Sequence, residues 1–224
     1  MISLAHIDKY YQSGEETLHV LKDLSLEIAS GEFVAIMGPS GSGKSTLINL
    51  LGFLDSSYEG QYLYEGKAPQ INNDRALSRV RNEMVGFVFQ NFSLVETDTV
   101  LENVEMPLLY RGMSQAKARP IVMEYLKKVG IEEKWDKLPR QLSGGQQQRV
   151  AIARALVNQP RFIIADEPSG ALDYHTSKEI MNLFQEVNEK EGVTVILVTH
   201  DQNMANYANR TLRIFDGRIV PEEA

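Results

Sequence analysis

The 224-residue sequence contains no cysteine, one tryptophan and no apolar run as long as a membrane span. Without cysteine the chain cannot form a disulfide, a thiolate zinc site or a cysteine nucleophile, and the cytosol is the expected compartment. A spanning helix needs about 20 consecutive apolar residues, whereas the longest runs, at 33–37 and 193–198, have the length of strands. Residues 1–11 lack the basic start and apolar core of a secretory signal, so none is expected.

Basic charge is also scarce, because 23 Lys and Arg face 30 Asp and Glu and leave a net charge of -7. Such a balance argues against a general nucleic-acid binder, which needs a basic face, and we predict no nucleic-acid partner. The 43% hydrophobic and 24% charged fractions are those of a soluble globular protein. The length suits one large domain or a core with an inserted subdomain.

Hydrophobic patterning predicts an α/β fold. In the first thirty residues Leu4, His6 and Asp8 alternate with Ala5 and Ile7, and residues 24–28 also alternate with period two, which indicates a β-rich segment. One predicted helix begins near Lys44, and a second covers 175–190. Asp216-Gly217 joins a predicted hairpin at the end of the chain. Four apolar runs predict buried strands: 33–37, 86–89, 162–165 and 194–199.

Strands that alternate with helices indicate a mostly parallel sheet covered on both faces. Residues 100–156 differ, because their pattern is helical throughout. We therefore predict one domain over 1–224, with an α/β core at 1–90 and 158–224 and an inserted α-helical subdomain at 91–157.

The strongest motif is a phosphate loop at residues 38–46, which match G-x-x-x-x-G-K-[ST] between a buried strand and a helix. Its backbone N–H groups and the positive end of the helix favour an anion, and a Gly/Ser loop that binds nothing is the weaker alternative. Lys44 supplies a cation for the outer phosphates, and the Ser45 hydroxyl is a candidate magnesium ligand. The candidate phosphate-binding residues are Gly38, Ser40, Gly41, Ser42, Gly43, Lys44, Ser45 and Thr46.

Two adjacent carboxylates follow the predicted strand at 162–165. Asp166 at the strand tip would hold magnesium, directly or through water. Glu167 would orient or deprotonate a water that attacks the γ-phosphate. The alternative is an ordinary acidic loop, which a phosphate loop upstream in the same sheet makes less attractive.

A second glycine motif, Leu142-Ser143-Gly144-Gly145-Gln146, precedes a predicted helix. Ser143 could simply cap that helix, but two glycines at a helix start also form an anion nest. The residues alone leave open whether the two nests of the chain serve one phosphate or two.

Together these motifs resemble the nucleotide-binding subunit of ABC transporters, and the resemblance covers essentially the whole chain. Residues 142–146 are similar to the LSGGQ signature of that family. The resemblance implies an ATPase with a P-loop NTPase core, an N-terminal antiparallel β subdomain, an inserted helical subdomain, and ATP and Mg²⁺ as cofactors. It identifies Gln90 with the Q-loop glutamine, Asp173 with the D-loop aspartate, His200 with the switch histidine and Tyr11 with the aromatic that stacks on adenine.

By the same resemblance, Glu167, His200 and Gln90 are catalytic, and Ser45, Gln90 and Asp166 hold the metal. Tyr10 is adjacent to Tyr11 and is the alternative stacking residue.

The resemblance also implies partners. A second copy of the chain would form a head-to-tail ATP-sandwich homodimer, in which the phosphate loop of one subunit faces Ser143, Gly144, Gly145 and Gln146 of the other. An integral membrane permease would hold the protein at the cytoplasmic face of the cell membrane, and a periplasmic or extracellular adaptor is a further expected partner. The apolar residues of the loop at 91–95 either line a groove for that permease or pack on the helical subdomain: Phe92, Leu94 and Val95.

A narrower resemblance, to subunits of lipoprotein-releasing and macrolide-exporter systems, is carried by residues 11–16, 52–55 and 142–154. It implies a bacterial export or extrusion system and does not specify the substrate. Two other functions are alternatives. The first is a soluble ABC ATPase that acts on nucleic acid or ribosomes. It is disfavoured, because such proteins generally carry two cassettes or a coiled-coil insertion, which this sequence lacks. A regulatory cassette of the cell-division type would signal through a membrane partner without moving a solute.

Overall fold

The computed structural model describes residues 1–14, 16–69 and 73–220. The chain divides into two compact units, one formed by Met1–Arg81 with Thr194–Ala224 and the other by Asn82–Val193. The strands are β1 (Ile2–Ser13), β2 (Glu16–Ile28), β3 (Phe33–Met37), β4 (Glu59–Tyr64), β5 (Val85–Phe89), β6 (Phe162–Asp166), β7 (Thr194–Val198), β8 (Arg210–Phe215) and β9 (Arg218–Val220). The helices are α1 (Lys44–Leu51), α2 (Asp74–Met84), α3 (Val100–Tyr110), α4 (Gln115–Lys128), α5 (Gly144–Leu156), α6 (Tyr174–Glu191) and α7 (Gln202–Ala205), with 3-10 turns at Glu132–Lys134 and Pro139–Gln141.

An antiparallel sheet of order β2-β1-β4 lies in the first unit, which confirms the β-rich start of the chain. The predicted alternation through residues 4–8 is wrong in detail. His6 has φ 53°, and the pairing of β1 with β2 shifts register between Leu4 and Ile7. This β-bulge adds one residue to the strand, so Leu4 and Ile7 are both buried although they are three positions apart.

The first unit also contains the strands that carry the phosphate loop. β3 is parallel to β7 on one side and to β8 on the other, and β9 pairs antiparallel with β8 as the predicted hairpin. Every residue of β3 and β7 is buried, as their continuous apolar sequences predict. Ile36 pairs with Val198, so the carboxyl ends of β3 and β7 lie level with each other.

In the second unit, β5 and β6 form a parallel pair. A Cβ atom at Gly86 of β5 would lie 2.6 Å from the carbonyl oxygen of Ala155 in α5, so the glycine permits close packing of that helix on the strand. Residues 90–161 form α3, α4, α5 and the two 3-10 turns without a strand, which confirms the predicted helical stretch. The boundaries 91–157 for a separate helical subdomain stay a prediction.

Within the residues that the structure describes, none of the helices is long and apolar enough to cross a membrane.

Candidate nucleotide-binding and catalytic site

The phosphate loop connects β3 to α1 and is held close to β8. A Cβ atom at Gly38 would lie 2.2 Å from the carbonyl oxygen of Ile214, so no larger residue fits there. Gly43 precedes α1 with φ 104° and Gly41 has φ 78°, a region of backbone space that glycine enters at little cost. The glycines therefore shape the loop by both space and backbone angle.

Two further contacts fix the loop. The N–H of Gly217, in the turn between β8 and β9, donates to the carbonyl of Ser42 at 2.9 Å. The Lys44 ammonium donates to the carbonyls of Gly38 and Pro39 at 2.8 and 2.9 Å. The ammonium charge therefore lies against the loop. A phosphate that binds there can replace the two carbonyls as the partner of Lys44. Ser40, Gly41 and Ser45 are exposed, whereas Ser42 is buried.

His200 lies at the same edge of the sheet as the phosphate loop. The N–H of Thr199 donates to the carbonyl of Ile36 at 3.2 Å, which continues the pairing of β7 with β3 up to the residue before the histidine. The side chain of Asp201 then accepts from the N–H of Asn203 and caps α7. The exposed His200 therefore follows a strand end at which parallel α/β sheets bind ligands.

Tyr11 lies on β1, with a contact on one face of its ring and another at its hydroxyl. The Lys9 ammonium is 4.8 Å from the ring centroid, and the hydroxyl donates to the Asp55 carboxylate at 3.3 Å. Lys9 itself is buried and pairs with Asp55 at 2.7 Å. Tyr10 makes a different contact, because its ring stacks on His19 with centroids 4.3 Å apart. The two candidate tyrosines are both partly exposed and differ in their neighbours.

Gln90, Asp166 and Glu167 lie at the same end of the β5–β6 pair in the second unit. Phe89 pairs with Asp166 in the parallel register of β5 and β6, so Gln90 leaves its strand level with the two carboxylates. A Cβ atom at Gly170 would lie 2.9 Å from Nε2 of Gln90. The Gln90 amide therefore packs against the backbone of the predicted D-loop.

Glu167 adopts an unusual backbone conformation. Its φ is 47°, a left-handed value that costs a residue with a side chain about 1–3 kcal/mol. The N–H of Gly170 donates to the Glu167 carbonyl at 3.0 Å, and the buried Gln148 of α5 donates to the carbonyl of Pro168 at 2.7 Å. The turn after β6 is thus held at two successive carbonyls.

The glycine motif at 142–146 begins α5 and contains a complete cap. The Ser143 hydroxyl accepts from the N–H of Gln146 at 3.3 Å, and the Gln146 side chain accepts from the N–H of Ser143 at 3.0 Å. Ser143 therefore caps α5, which confirms the capping interpretation of this motif. This cap uses the side chains of Ser143 and Gln146 and leaves the two glycines at the first turn of the helix.

Gly145 and Asp173 both contact Thr176 in the first turn of α6. Asp173 caps α6 by accepting from the N–H groups of His175 and Thr176, and its other oxygen accepts from the Thr176 hydroxyl at 2.6 Å. The Thr176 hydroxyl holds the pKa of Asp173 below its ordinary value, and the backbone donors act in the same direction. A Cβ atom at Gly145 would lie 2.4 Å from the Thr176 methyl group, so the glycine lets α5 approach α6.

Sequence reasoning missed two side chains that organise these loops. Arg154 of α5 donates to the carbonyls of Phe92 and Ser93 at 2.9 and 2.6 Å, and desolvation lowers the pKa of its partly buried guanidinium. The second missed side chain is Gln148. It lies four residues before Ile152, and this spacing places it on the buried face of α5, which was the available signal.

Comparison with known proteins identifies the family of the chain. Residues 21–170 match the family model described as ABC transporter. The chain is 49% identical over 223 residues to an uncharacterised ABC transporter ATP-binding protein of Bacillus subtilis, and the match covers all of this chain and 97% of that protein. It is 46% identical to the macrolide export ATP-binding/permease protein MacB of Aggregatibacter actinomycetemcomitans, across 99% of this chain and 34% of that one.

A solved structure shares the fold. The ATP-binding cassette MJ0796 of Methanocaldococcus jannaschii, solved as a dimer in a post-hydrolysis state with ADP and Pi, superposes with a TM-score of 0.90. It is 45% identical in sequence, and the match covers 100% of this chain and 98% of that one. The fold and the two glycine motifs define a P-loop nucleotide-binding ATPase. More narrowly, the chain belongs to the ABC transporter family and is an ATP-binding cassette ATPase.

Proposed function

We propose that this protein is the ATP-hydrolysing subunit of an export or extrusion system, which dimerises head-to-tail on ATP and drives a separate membrane permease. The observation that carries the proposal is the placement of the motifs at carboxyl ends of parallel strands. The phosphate loop and His200 leave β3 and β7 at one level, and Gln90 leaves β5 level with Asp166 and Glu167.

The donor chemistry suits ATP with Mg²⁺. Magnesium prefers oxygen ligands and usually takes one or two from protein, with the rest from phosphate and water. The proposed set has the Ser45 hydroxyl, the Asp166 carboxylate and the Gln90 amide oxygen. No group of three or more His, Asp or Glu side chains forms a metal cluster within residues 1–14, 16–69 and 73–220, and such a shared phosphate–protein site does not need one.

Hydrolysis needs a group that takes a proton from water while the water oxygen bonds to the γ-phosphorus and the bond to the β,γ-bridging oxygen breaks. We assign this base to Glu167, which is half-buried and fixed at the tip of β6. Bound magnesium would offset charge on the phosphate oxygens. Lys44 would bind the outer phosphates, and His200 would donate a hydrogen bond to the γ-phosphate.

Glu167→Gln tests this assignment, because it keeps the shape of the side chain and removes its basicity. Loss of a general base costs about 100- to 10,000-fold in rate, so single-turnover hydrolysis should fall by that factor while ATP binding persists. Glu186→Gln, an exposed change on α6, is the matched control and should retain the wild-type rate. Rapid hydrolysis by Glu167→Gln would contradict the proposal.

A permease would dock on a cleft of about 320 Å³ in the second unit. Phe87, Phe89 and Met106 line it and are partly exposed, and Arg154 and Ser93 contribute polar groups. An apolar cleft of this kind suits a short amphipathic helix. We propose that a cytoplasmic helix of the permease occupies it and holds the cassette at the cytoplasmic face of the membrane, with a periplasmic or extracellular adaptor on the far side.

Support for that occupant comes from MacB, whose name describes an ATP-binding/permease protein and of which this chain matches only about a third. Of the apolar residues predicted in the loop at 91–95, none lines the cleft, and Ser93 is the loop residue that does. Phe92 and Leu94 are instead partly buried. The two interpretations of the loop, as part of a permease groove or as packing on the helical subdomain, therefore stay predictions.

The docking proposal predicts that Phe87→Asp loses copurification with the permease and stimulation of ATPase activity, since a charge would enter an apolar contact. Basal ATPase activity should remain near normal. Phe87→Leu keeps an apolar side chain and should keep the partner. A folded Phe87→Asp protein that still binds the permease would refute the docking site.

A further inference from the structure

Gln148 is a fully buried glutamine of α5, and its side chain contacts the turn after β6. Its side-chain nitrogen donates to the carbonyl of Pro168 at 2.7 Å. A carbonyl only accepts, so the amino end of the amide must face Pro168. Its Oε1 is buried and has no hydrogen-bond partner in the part of the chain that the structure describes. A buried amide oxygen without a partner costs stability, so the presence of this glutamine calls for an explanation, and its bond to Pro168 supplies one.

The bond acts on a strained turn. Glu167 has φ 47°, and the residue before a proline is further restricted in its backbone angles. Pro168 has no N–H to hold itself in place, so its carbonyl is the group by which the turn can be anchored. The neighbouring Glu167 carbonyl is held by the N–H of Gly170. Gln148 therefore supplies a side-chain anchor one residue beyond the proposed base.

We propose that Gln148 is a positioning residue, which holds the Glu167 carboxylate in its reactive position through the Pro168 carbonyl. The inference rests on the proposed role of Glu167. It also connects the second glycine motif with Glu167, because α5 begins at Gly144, only about one turn before Gln148. A shift of α5 when its first turn meets a nucleotide would move Pro168, and with it Glu167.

Gln148→Met tests the anchor, since methionine has a similar length and no donor. A base displaced by about 1 Å loses up to about 100-fold in rate. We therefore expect kcat to fall about 10- to 100-fold, while KM for ATP and the affinity for a fluorescent ATP analogue change little. Asn103→Leu is the matched control, because Asn103 is an equally buried amide of the same unit that holds the carbonyls of Val95, Asp98 and Thr99. It should lower the melting temperature and keep kcat.

Gln148→Glu gives a pH signature that a merely structural residue would not produce. The protonated acid donates an O–H to the Pro168 carbonyl, whereas the carboxylate repels it. Burial favours the protonated form, because desolvation raises the pKa of a carboxylic acid. The ratio of the Gln148→Glu kcat to the wild-type kcat should therefore approach one at low pH and fall at higher pH. A Gln148→Glu profile parallel to that of the wild type would overturn the proposal.

A double variant separates the positioning role from the role of Glu167 itself. If Gln148 acts through Glu167, then Gln148→Met in the Glu167→Gln background should cause no further loss of rate, because coupled residues are not additive. A full additive loss would overturn the positioning role. Failure of the proposed function looks different, because Glu167→Gln alone would then hydrolyse ATP at the wild-type rate.

Discussion

Gly170→Ala is expected to remove activity without removing stability. The added Cβ would lie 2.9 Å from Nε2 of Gln90, 3.1 Å from its Cδ and 3.4 Å from its Cγ. Ordinary carbon contacts are about 3.5–4.0 Å, so the amide of Gln90 must move by about 0.5–1 Å. A misplacement of about 1 Å can cost about 100-fold in rate, and we expect kcat to fall about 10- to 100-fold.

The stability of Gly170→Ala should change little. Gly170 lies outside the left-handed backbone region, and Gly→Ala at a compatible position stabilises by about 0.4–1 kcal/mol by restricting the unfolded chain. This gain offsets the cost of moving the flexible glutamine. The melting temperature of Gly170→Ala should therefore stay close to that of the wild type.

Gly192→Ala is the matched control with the reverse expectation. Gly192 ends α6 with φ 66°, and a Cβ there would contact nothing within 4 Å. The backbone strain should cost about 1–2 kcal/mol of stability and leave kcat unchanged. The assay is steady-state ATPase activity alongside thermal unfolding for all three proteins. Wild-type kcat in a folded Gly170→Ala protein would refute the idea that Gln90 must sit against Gly170 for catalysis.

Three further variants test other parts of the site. Tyr11→Ala should weaken nucleotide binding about 5- to 150-fold, because base–aromatic stacking is worth roughly 1–3 kcal/mol, whereas Tyr10→Ala should not; the reverse result in a fluorescent ATP titration would move the stacking role to Tyr10. Arg154→Met should reduce permease-stimulated activity more than basal activity, since it releases the carbonyls of residues 92 and 93, and an equal loss of both would contradict this. Asp173→Asn should lower the melting temperature at pH 7 but have progressively less effect below the ordinary aspartate pKa of about 3.9, because a lowered pKa contributes stability above the unfolded value and loses it as pH falls through the folded value. A difference that persists unchanged at pH 3 would show that the cap acts without its charge.

The elements that sequence reasoning found have strong local signals. β3 and β7 are buried throughout, so their apolar runs were unambiguous, and Ser143 does cap α5 as its place before the helix indicated. β4 and α2 were not predicted. β4 is an edge strand in which Tyr62 alone is buried, so it carries little apolar pattern. α2 has an apolar stripe at Leu77, Val80 and Met84 that sequence reasoning missed, although none of its residues is buried.

Contacts between distant residues were beyond the sequence for a physical reason. The bulge at His6 breaks the two-residue period through a positive φ, which is uncommon among residues with a side chain. The approach of Gly170 to Gln90 joins residues 80 positions apart, and Gln148 reaches Pro168 across 20. Local patterns predicted which residue types carry the chemistry, whereas the groups that hold them in place depend on tertiary packing.

The most direct test of the account is the mass of Glu167→Gln in solution, measured by light scattering with ATP and with ADP. ATP should convert the protein from its 25.2 kDa monomer to a species of twice that mass, because binding persists and hydrolysis no longer separates the subunits. ADP should leave it monomeric. Adding Ser143→Arg should abolish the dimer while the phosphate loop still binds ATP, since a bulky cation would stand where the partner's nucleotide is proposed to lie. A Glu167→Gln protein that binds ATP yet stays at 25.2 kDa, or a dimer that forms equally well with Ser143→Arg, would contradict the head-to-tail ATPase that we propose.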